Sequence, residues 1–312
     1  MKFGLIGHPI AHSLSPALFK AGYDGRYPYE LIQTDDFEQA YARFLDSYDG
    51  INVTAPFKEL AFSKADILSE ECSLIGATNL LVKTAEGIKA FNSDYLGVRL
   101  WLSEVAAISD GKEKQHRATR VSKTFRESRS SDGSSDCLAI TACPSGLSQS
   151  DRRIDNNQTA LVVGLGGAGK AAAVAAHSLG FDLILMNRDM SKAEAMAARL
   201  DSMTDHSNSI TVRPLTEFAD CFREADIIIY NIPTSIPQLA EIPAPAEGRP
   251  KHVLEANYKD PSFDKELIHR LLGNNPESSY TSGKTWLLYQ AVTGYELFTG
   301  EKPDLARMSA VI

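Results

Sequence analysis

The apolar positions of this chain change rhythm twice along its length. In the first hundred residues short apolar runs alternate with amphipathic ones. Residues 2–6, 27–33 and the segment GINVT at 50–54 read as strands. DDFEQAYARFLDS places Phe37, Ala40, Tyr41, Phe44 and Leu45 on one helical face, with an aspartate near its start. FKELAFSKADILSEEC is helical, in one piece or two. NLLVKTAEGIKAFN reads as two strands about a turn at Gly87, and DYLGVRLWLSEV returns to helix.

The pattern then stops. Between Lys112 and Arg129 there are seven Lys or Arg against two Asp or Glu, with almost no apolar residues. A serine-rich tract and a small apolar island follow. Residues 104–158 therefore read as a polar insertion or linker, which cannot bury enough surface to offset the entropy of ordering it. A lid or partner-docking segment is the alternative reading.

From Thr159 the rhythm becomes strand–helix alternation. TALVVG, DLILMN, ADIIIYNI and KHVLEANY are apolar strands. GAGKAAAVAAHSLG, SKAEAMAARLDSM and FDKELIHRLLG are helices, and GKTWLLYQAVTGYELFTG is a last long helix. Strands alternating with helices imply an α/β fold with a parallel sheet covered on both faces.

Composition narrows the function classes. The chain of 312 residues is 43% hydrophobic and 23% charged, ordinary for one large or two average domains. Its net charge of −8 disfavours a nucleic-acid partner. No apolar run approaches the roughly 18–20 residues of a membrane span, and the opening MKFGLIGHPI has no signal-peptide core. A cytoplasmic protein with a small-molecule substrate, monomeric or homodimeric, is expected. Cys72, Cys137, Cys143 and Cys221 form no CxxC pair and read as reduced thiols, with no metal site.

VVGLGGAGKA sets Gly164, Gly166 and Gly169 in a GxGxxG pattern where a strand meets a helix. In that context the first glycine permits a tight turn. The second lets backbone approach a pyrophosphate, and the third lets helix pack on strand. The helix N-terminus then offers free N–H groups to the phosphates. At the end of the next strand stand Asn187, Arg188 and Asp189. Arg188 suits a ribose 2′-phosphate and points to NADP, whereas Asp189 suits the free hydroxyl of NAD.

Polar residues cluster at strand ends in the first hundred residues. Asn52 and Thr54 share a strand face, Lys58 follows the Pro56 turn, Asn79 stands in GATNLL, and Asn92 and Asp94 precede a helix. Singly, each has a structural explanation: strand residue, surface charge or, for Asp94, helix cap. Together they offer amides, a hydroxyl, an amine and a carboxylate, a set suited to a polyhydroxylated acid. A sheltered Lys–Asp pair is an acid–base catalyst for hydride transfer, because each group tunes the other's protonation. In LIGHPIAHSLSPALF, Ser15 and Pro16 form a natural N-cap and N1 pair. Ser13 lies outside that cap and reads as half of a carboxylate clamp.

At these residues the chain resembles the shikimate dehydrogenases. GHPIAHSLSP, INVTAPFKE, GATN, NSDYLG, the glycine turn, MNR and GKTWLLYQA occur in the family's order. The resemblance implies a three-layer α/β substrate domain (1–103, completed by a C-terminal helix, 283–312), the insertion 104–158, and a Rossmann-like NADP-binding domain (159–282). The active site would lie in the cleft between the domains. The implied reaction is reduction of 3-dehydroshikimate to shikimate in the chorismate pathway. By resemblance Ser13 and Ser15 bind the substrate carboxylate, with Tyr258 nearby. Asn52, Thr54, Asn79, Asp94 and Gln290 bind the rest of the substrate, and Lys58 and Asp94 are catalytic. Gly164, Gly166, Gly167, Ala168, Gly169, Asn187, Arg188, Asp189, Asn231 and Gly283 belong to the cofactor site. The chain departs from the family's pattern at Leu80, where threonine is usual, at Asp189, where Thr or Ser is usual, and at Glu255, where aspartate is common. NIPTS at 231–235 also carries an extra residue against the usual N-A-T-S. An NAD-dependent quinate/shikimate dehydrogenase and a non-catalytic sensor of shikimate-like ligands are the alternatives.

Overall fold

The structure, a computed structural model, describes residues 1–109, 158–203, 208–242, 249–273 and 275–312. Most of the insertion expected at 104–158 lies outside the described residues, as do Cys137 and Cys143. Two six-stranded sheets organise the rest.

The first sheet holds β1 (Phe3–Gly7), β2 (Tyr29–Gln33), β3 (Gly50–Val53), β4 (Ile67–Leu68), β5 (Leu80–Thr84) and β6 (Gly87–Phe91), in the order β2-β1-β3-β5-β6-β4. It is parallel from β2 to β3 and antiparallel through β5 and β6. Side chains alternate between two cores, as a two-sided sheet requires. Ile6, Ile51, Val53 and Leu81 pack beneath α2 (Phe37–Ser47), with its Phe37, Ala40 and Phe44. Phe3 and Leu80 face α1 (Ser15–Tyr23) and the C-terminal helix α10 (Gly283–Thr299). Phe3 stacks on Phe298 of α10 at 4.9 Å and meets Phe19 of α1 at 5.3 Å. Each such pair adds about 0.5–1.5 kcal/mol to the burial itself. That packing fastens the end of the chain to its beginning.

The second sheet is wholly parallel. Its strands are β7 (Thr159–Val163), β8 (Asp182–Met186), β9 (Ile210–Val212), β10 (Ile227–Tyr230), β11 (His252–Glu255) and β12 (Ser279–Thr281). The order β12-β11-β10-β7-β8-β9 reverses direction between β7 and β10, the switch point of a Rossmann-like sheet. Residues along β7 and β10 alternate between cores too, but both faces are apolar because helices cover both. α6 (Gly167–Ser178) leaves that switch point, and Ala171 to His177 are all buried in it. Its alanines follow from this: a helix enclosed between a sheet and α5 (Ser93–Ser109) needs small side chains all round.

Several expectations shift. FKELAFSKADILSEEC forms α3 (Lys58–Ser63) and α4 (Glu70–Ile75), with strand β4 between them paired to β6. α5 runs on to Ser109, past the boundary expected at residue 103. The C-terminal segment is two helices, because Gly300 takes a left-handed φ of 71° that ends α10 before α11 (Leu305–Ser309). β9, β12, α11 and α8 (Phe218–Glu224) are short and were not legible in the apolar pattern.

Candidate active site

A cavity of about 250 Å³ opens beside the carboxyl ends of β1 and β3. Ser13, Ser15, Asn52, Thr54, Lys58, Asn79, Asp94, Tyr258 and Gln290 all line it. They come from α1, β3, α3, α5, α10, the β1–α1 and β3–α3 loops, the loop before β5 and the loop after β11. The volume suits a single small ring rather than an extended ligand.

At its centre the Lys58 ammonium donates to the Asp94 carboxylate, with the two side chains 16% and 7% exposed. Such shelter strengthens their mutual attraction while costing each charge its hydration. Asp94 lies in the first turn of α5 but does not cap it. Asn92 does, accepting from the Tyr95 N–H at 3.2 Å and donating to the Ala77 carbonyl at 3.1 Å. That leaves the Asp94 carboxylate for Lys58.

The amides divide their bonds between scaffold and cavity. Asn79 Oδ1 accepts from the Ser93 N–H at 2.7 Å, so its Nδ2 is left for the cavity. Asn52 is more constrained. It accepts from the Tyr29 hydroxyl at 2.8 Å and donates to the Asn79 carbonyl at 3.3 Å, which makes it a brace beneath the cavity floor.

The two serines behave differently from expectation. Ser15 is the first residue of α1, and Leu14 occupies the cap position with no side-chain cap bond. Ser13 instead accepts from the Ser15 N–H at 3.2 Å and donates to the Ser15 hydroxyl at 3.1 Å. Ser13 thus supplies an acceptor for the first N–H of α1 from the cavity wall, while the Ser15 hydroxyl, expected as the cap, accepts from Ser13. Tyr295 of α10 donates to the Ser15 carbonyl at 3.1 Å and lines the cavity as well. Burial holds the Tyr295 and Tyr29 phenols far above the ordinary value, so both stay protonated donors. Burial also raises Tyr258.

The glycine turn abuts this cavity. Gly164 has φ +89°, and a Cβ on Gly169 would stand 1.8 Å from the Gly164 carbonyl, so neither position tolerates a side chain. A Cβ on Gly166 would meet nothing within 4 Å, and one on Gly167 would lie 3.0 Å from Lys58 Cδ. Lys58 therefore packs on the first turn of α6. Asn187 braces the turn by accepting from the Leu165 N–H at 3.0 Å and donating to the Asp189 carbonyl at 2.9 Å. The Asp189 carboxylate is bound to Ser191 of α7 (Met190–Met203), accepting from its hydroxyl at 2.7 Å and its N–H at 3.2 Å. Those bonds hold Asp189 below its usual value. Arg188 beside it is exposed and has no carboxylate partner among the described residues. Gly283 is buried where α10 starts, and a Cβ there would stand 2.1 Å from the Ala256 carbonyl.

The departures also find places. Leu80 is fully buried in the core, against Gly294 of α10, and does not line the cavity. Glu255 is fully buried, accepting from the Tyr280 hydroxyl at 2.6 Å and from the Ser262 and Phe263 N–H groups. It anchors the loop that carries Tyr258 to the cavity. Asn231, at the exit of β10, has a buried Oδ1 without a partner among the described residues. Sequence reasoning missed Ser93, Lys259 and Tyr295 in the cavity wall and Tyr29 beneath it; Tyr29 and Tyr295 reach Asn52 and Ser15 from far along the chain, which leaves no local signal.

Two family models match the chain along its length. One, described as the shikimate dehydrogenase substrate binding domain, covers residues 5–81. The other, described as shikimate/quinate 5-dehydrogenase, covers residues 148–241. The chain belongs to the shikimate dehydrogenase family. A family relative from Haloarcula marismortui, named shikimate dehydrogenase (NADP(+)), is 28% identical over 98% of this chain and 96% of its own. Among solved structures, the Mycobacterium tuberculosis shikimate dehydrogenase superposes with a TM-score of 0.69 at 23% identity, covering 99% of this chain and 97% of that one. The quinate dehydrogenase of Corynebacterium glutamicum, solved with NAD, gives 0.71 at 20% identity, covering 100% and 98%. At those identities the superpositions show the shared fold. No helix among the described residues is long and apolar enough to cross a membrane.

Proposed function

We propose that this chain is an NADP-dependent shikimate dehydrogenase, interconverting 3-dehydroshikimate and shikimate in the pathway to chorismate and the aromatic amino acids. Residues 1–103 with the C-terminal segment would hold the substrate, and 159–282 the dinucleotide. The observation that carries this reading is the sheltered Lys58–Asp94 pair, set in a cavity of amides and hydroxyls and packed against the glycine turn.

The residues present fit the cofactor. Open space beyond Gly166, the first turn of α6 and the unpartnered Asn231 oxygen form a cradle for a dinucleotide. Arg188 stands free for a 2′-phosphate, while Asp189 is occupied by Ser191. That arrangement favours NADP over NAD, and the NADP(+) named for the Haloarcula relative supports the same choice. When bound, the reduced cofactor supplies the hydride.

The chain's own residues do the rest. Ser13 and Ser15, with Tyr258 across the cavity, hold the carboxylate of the substrate. Asn79 Nδ2 and Gln290 orient the ring hydroxyls. As the ring ketone takes up hydride, the Lys58–Asp94 pair delivers one proton to the developing alkoxide, giving the alcohol. In the oxidative direction the pair takes that proton back. Leu5, Pro9 and Ile10 add apolar surface to the cavity wall. A cytoplasmic location is proposed with this function.

Initial rates with shikimate or quinate, each with NADP or NAD, test the assignment. Shikimate with NADP is expected to be fastest. Lys58→Ala is expected to lower kcat by about a thousandfold, the scale of a lost acid–base group. Turnover by Lys58→Ala within a few-fold of the parent enzyme refutes its catalytic role. Tight shikimate binding with no turnover by the parent enzyme would leave the sensor reading.

A further inference from the structure

The indole of Trp286 is fully inside the protein, 4% exposed, on the first full turn of α10. Its Nε1–H donates to the backbone carbonyl of Asp94 at 3.1 Å. That bond crosses from the C-terminal helix to the helix bearing the Lys58 partner. The carbonyl of a residue in the first turn of a helix already has an acceptor role within that helix, so folding does not require a second donor there. The indole N–H, a donor only, is aimed at the backbone of the residue whose carboxylate meets Lys58.

Gly97 of α5 sits directly against the ring. Gly97, one turn after Asp94, lets α10 approach so closely that a Cβ there would meet Trp286 Cδ1 at 3.1 Å and the Gln290 backbone N at 2.8 Å. Trp286 and Gln290 are four residues apart and share a helix face. The same face thus presents one side chain to the Asp94 backbone and another to the cavity. The second tryptophan of the chain, Trp101, makes a different bond, from its Nε1–H to the Thr281 hydroxyl at 3.0 Å, and does not line the cavity.

We propose that Trp286 is a positioning residue for the reaction: its N–H locks Asp94 so that the carboxylate meets Lys58, and so ties the docking of α10 to the acid–base pair. This rests on the catalytic assignment of Lys58 and Asp94 made above. Its effect belongs to the reacting geometry, so its loss lowers kcat and leaves both KM values in place.

The test replaces Trp286 with β-(3-benzothienyl)-alanine, which keeps the ring shape and lacks the N–H, alongside Trp286→Phe and the control Trp101→Phe. The benzothienyl enzyme is expected to lose about fivefold in kcat, the worth of one hydrogen bond, with KM for shikimate and for NADP within about twofold. Its melting temperature is expected to stay within about 2 °C of the parent, and Trp101→Phe to keep the parent kcat. In an Asp94→Asn background the same replacement is expected to change residual kcat by less than about twofold, since the carboxylate it positions is gone. An unchanged kcat in the benzothienyl enzyme overturns the proposal, as does an equal loss in the Asp94→Asn background. Should Asp94→Asn and Lys58→Ala themselves turn over normally, the catalytic reading fails first, and the two failures are told apart by those variants alone. Trp286→Phe need not fold well, because the isosteric replacement carries the decision.

Discussion

Gly97→Ala sets two physical effects against each other at the contact between α5 and α10. The new methyl would lie 2.8 Å from the Gln290 backbone N, 3.1 Å from Trp286 Cδ1 and 3.2 Å from Gln290 Cα. A methyl carbon needs about 3.5 Å or more to a neighbouring heavy atom, so the helices must part by about 0.7 Å. Two of the three obstacles are backbone, which no rotamer change relieves. Overpacking of this kind costs about 1–3 kcal/mol. Against it, alanine is about 1 kcal/mol better than glycine in a helix interior. The net expectation is a loss of about 1 kcal/mol, or about 1–2 °C in Tm for a protein of this size. The effect on activity is larger, because α10 carries Gln290 into the cavity and Trp286 onto Asp94. Displacing a positioning element by most of an ångström costs about tenfold or more in kcat/KM. Thermal unfolding by circular dichroism and initial rates from NADPH absorbance measure both. If Gly97→Ala gains stability by the propensity difference and keeps full kcat/KM, the close approach of the two helices does not set the site, and the reasoning fails.

Ser13→Ala removes a hydroxyl from the cavity wall and the acceptor for the Ser15 N–H. KM for shikimate is expected to rise about tenfold with kcat within about twofold, and stability to fall by about 1 kcal/mol, as for one lost hydrogen bond; a change in melting temperature with both kinetic constants intact would make Ser13 a purely structural residue. Lys251, buried beneath the second sheet, donates to the carbonyls of Arg223 and Ala225. Burial first, and then the Arg249 guanidinium, pull it down to about 8. Below that pH both folded and unfolded chains hold the proton, and the cost of burying charge is complete. Between about pH 8 and the unfolded value near 10.4 the unfolded chain binds more protons, so the contribution of Lys251 to stability rises with pH. Urea unfolding of the parent and of Lys251→Met across pH 7–10.5 should therefore show a stability difference that moves in favour of the parent as pH increases. A flat difference would mean that Lys251 titrates as it does in water.

The sequence by itself determined the elements whose signals are local. Continuous apolar runs marked β7, β8, β10 and β11, and the glycine spacing marked the turn where β7 meets α6, because a tight turn and a close helix–strand approach have no other inexpensive residue. The set of cavity residues was legible through the order of short motifs. Their division of labour was not. Asn92 rather than Asp94 caps α5, Ser13 rather than Ser15 supplies a side-chain acceptor at the start of α1, and Asn187 braces the glycine turn. Each of these is a choice between neighbouring polar groups of similar chemistry, settled by backbone direction in three dimensions. The strands β4, β9 and β12 are two or three residues long and owe their existence to the strands beside them. Tertiary structure alone decided that Leu80 turns into the core and that Glu255 anchors a loop. It alone brought Tyr29, Tyr295 and Trp286 to residues far away in the chain. Hydrophobic periodicity records which face of an element is buried, but not which distant group will meet it there.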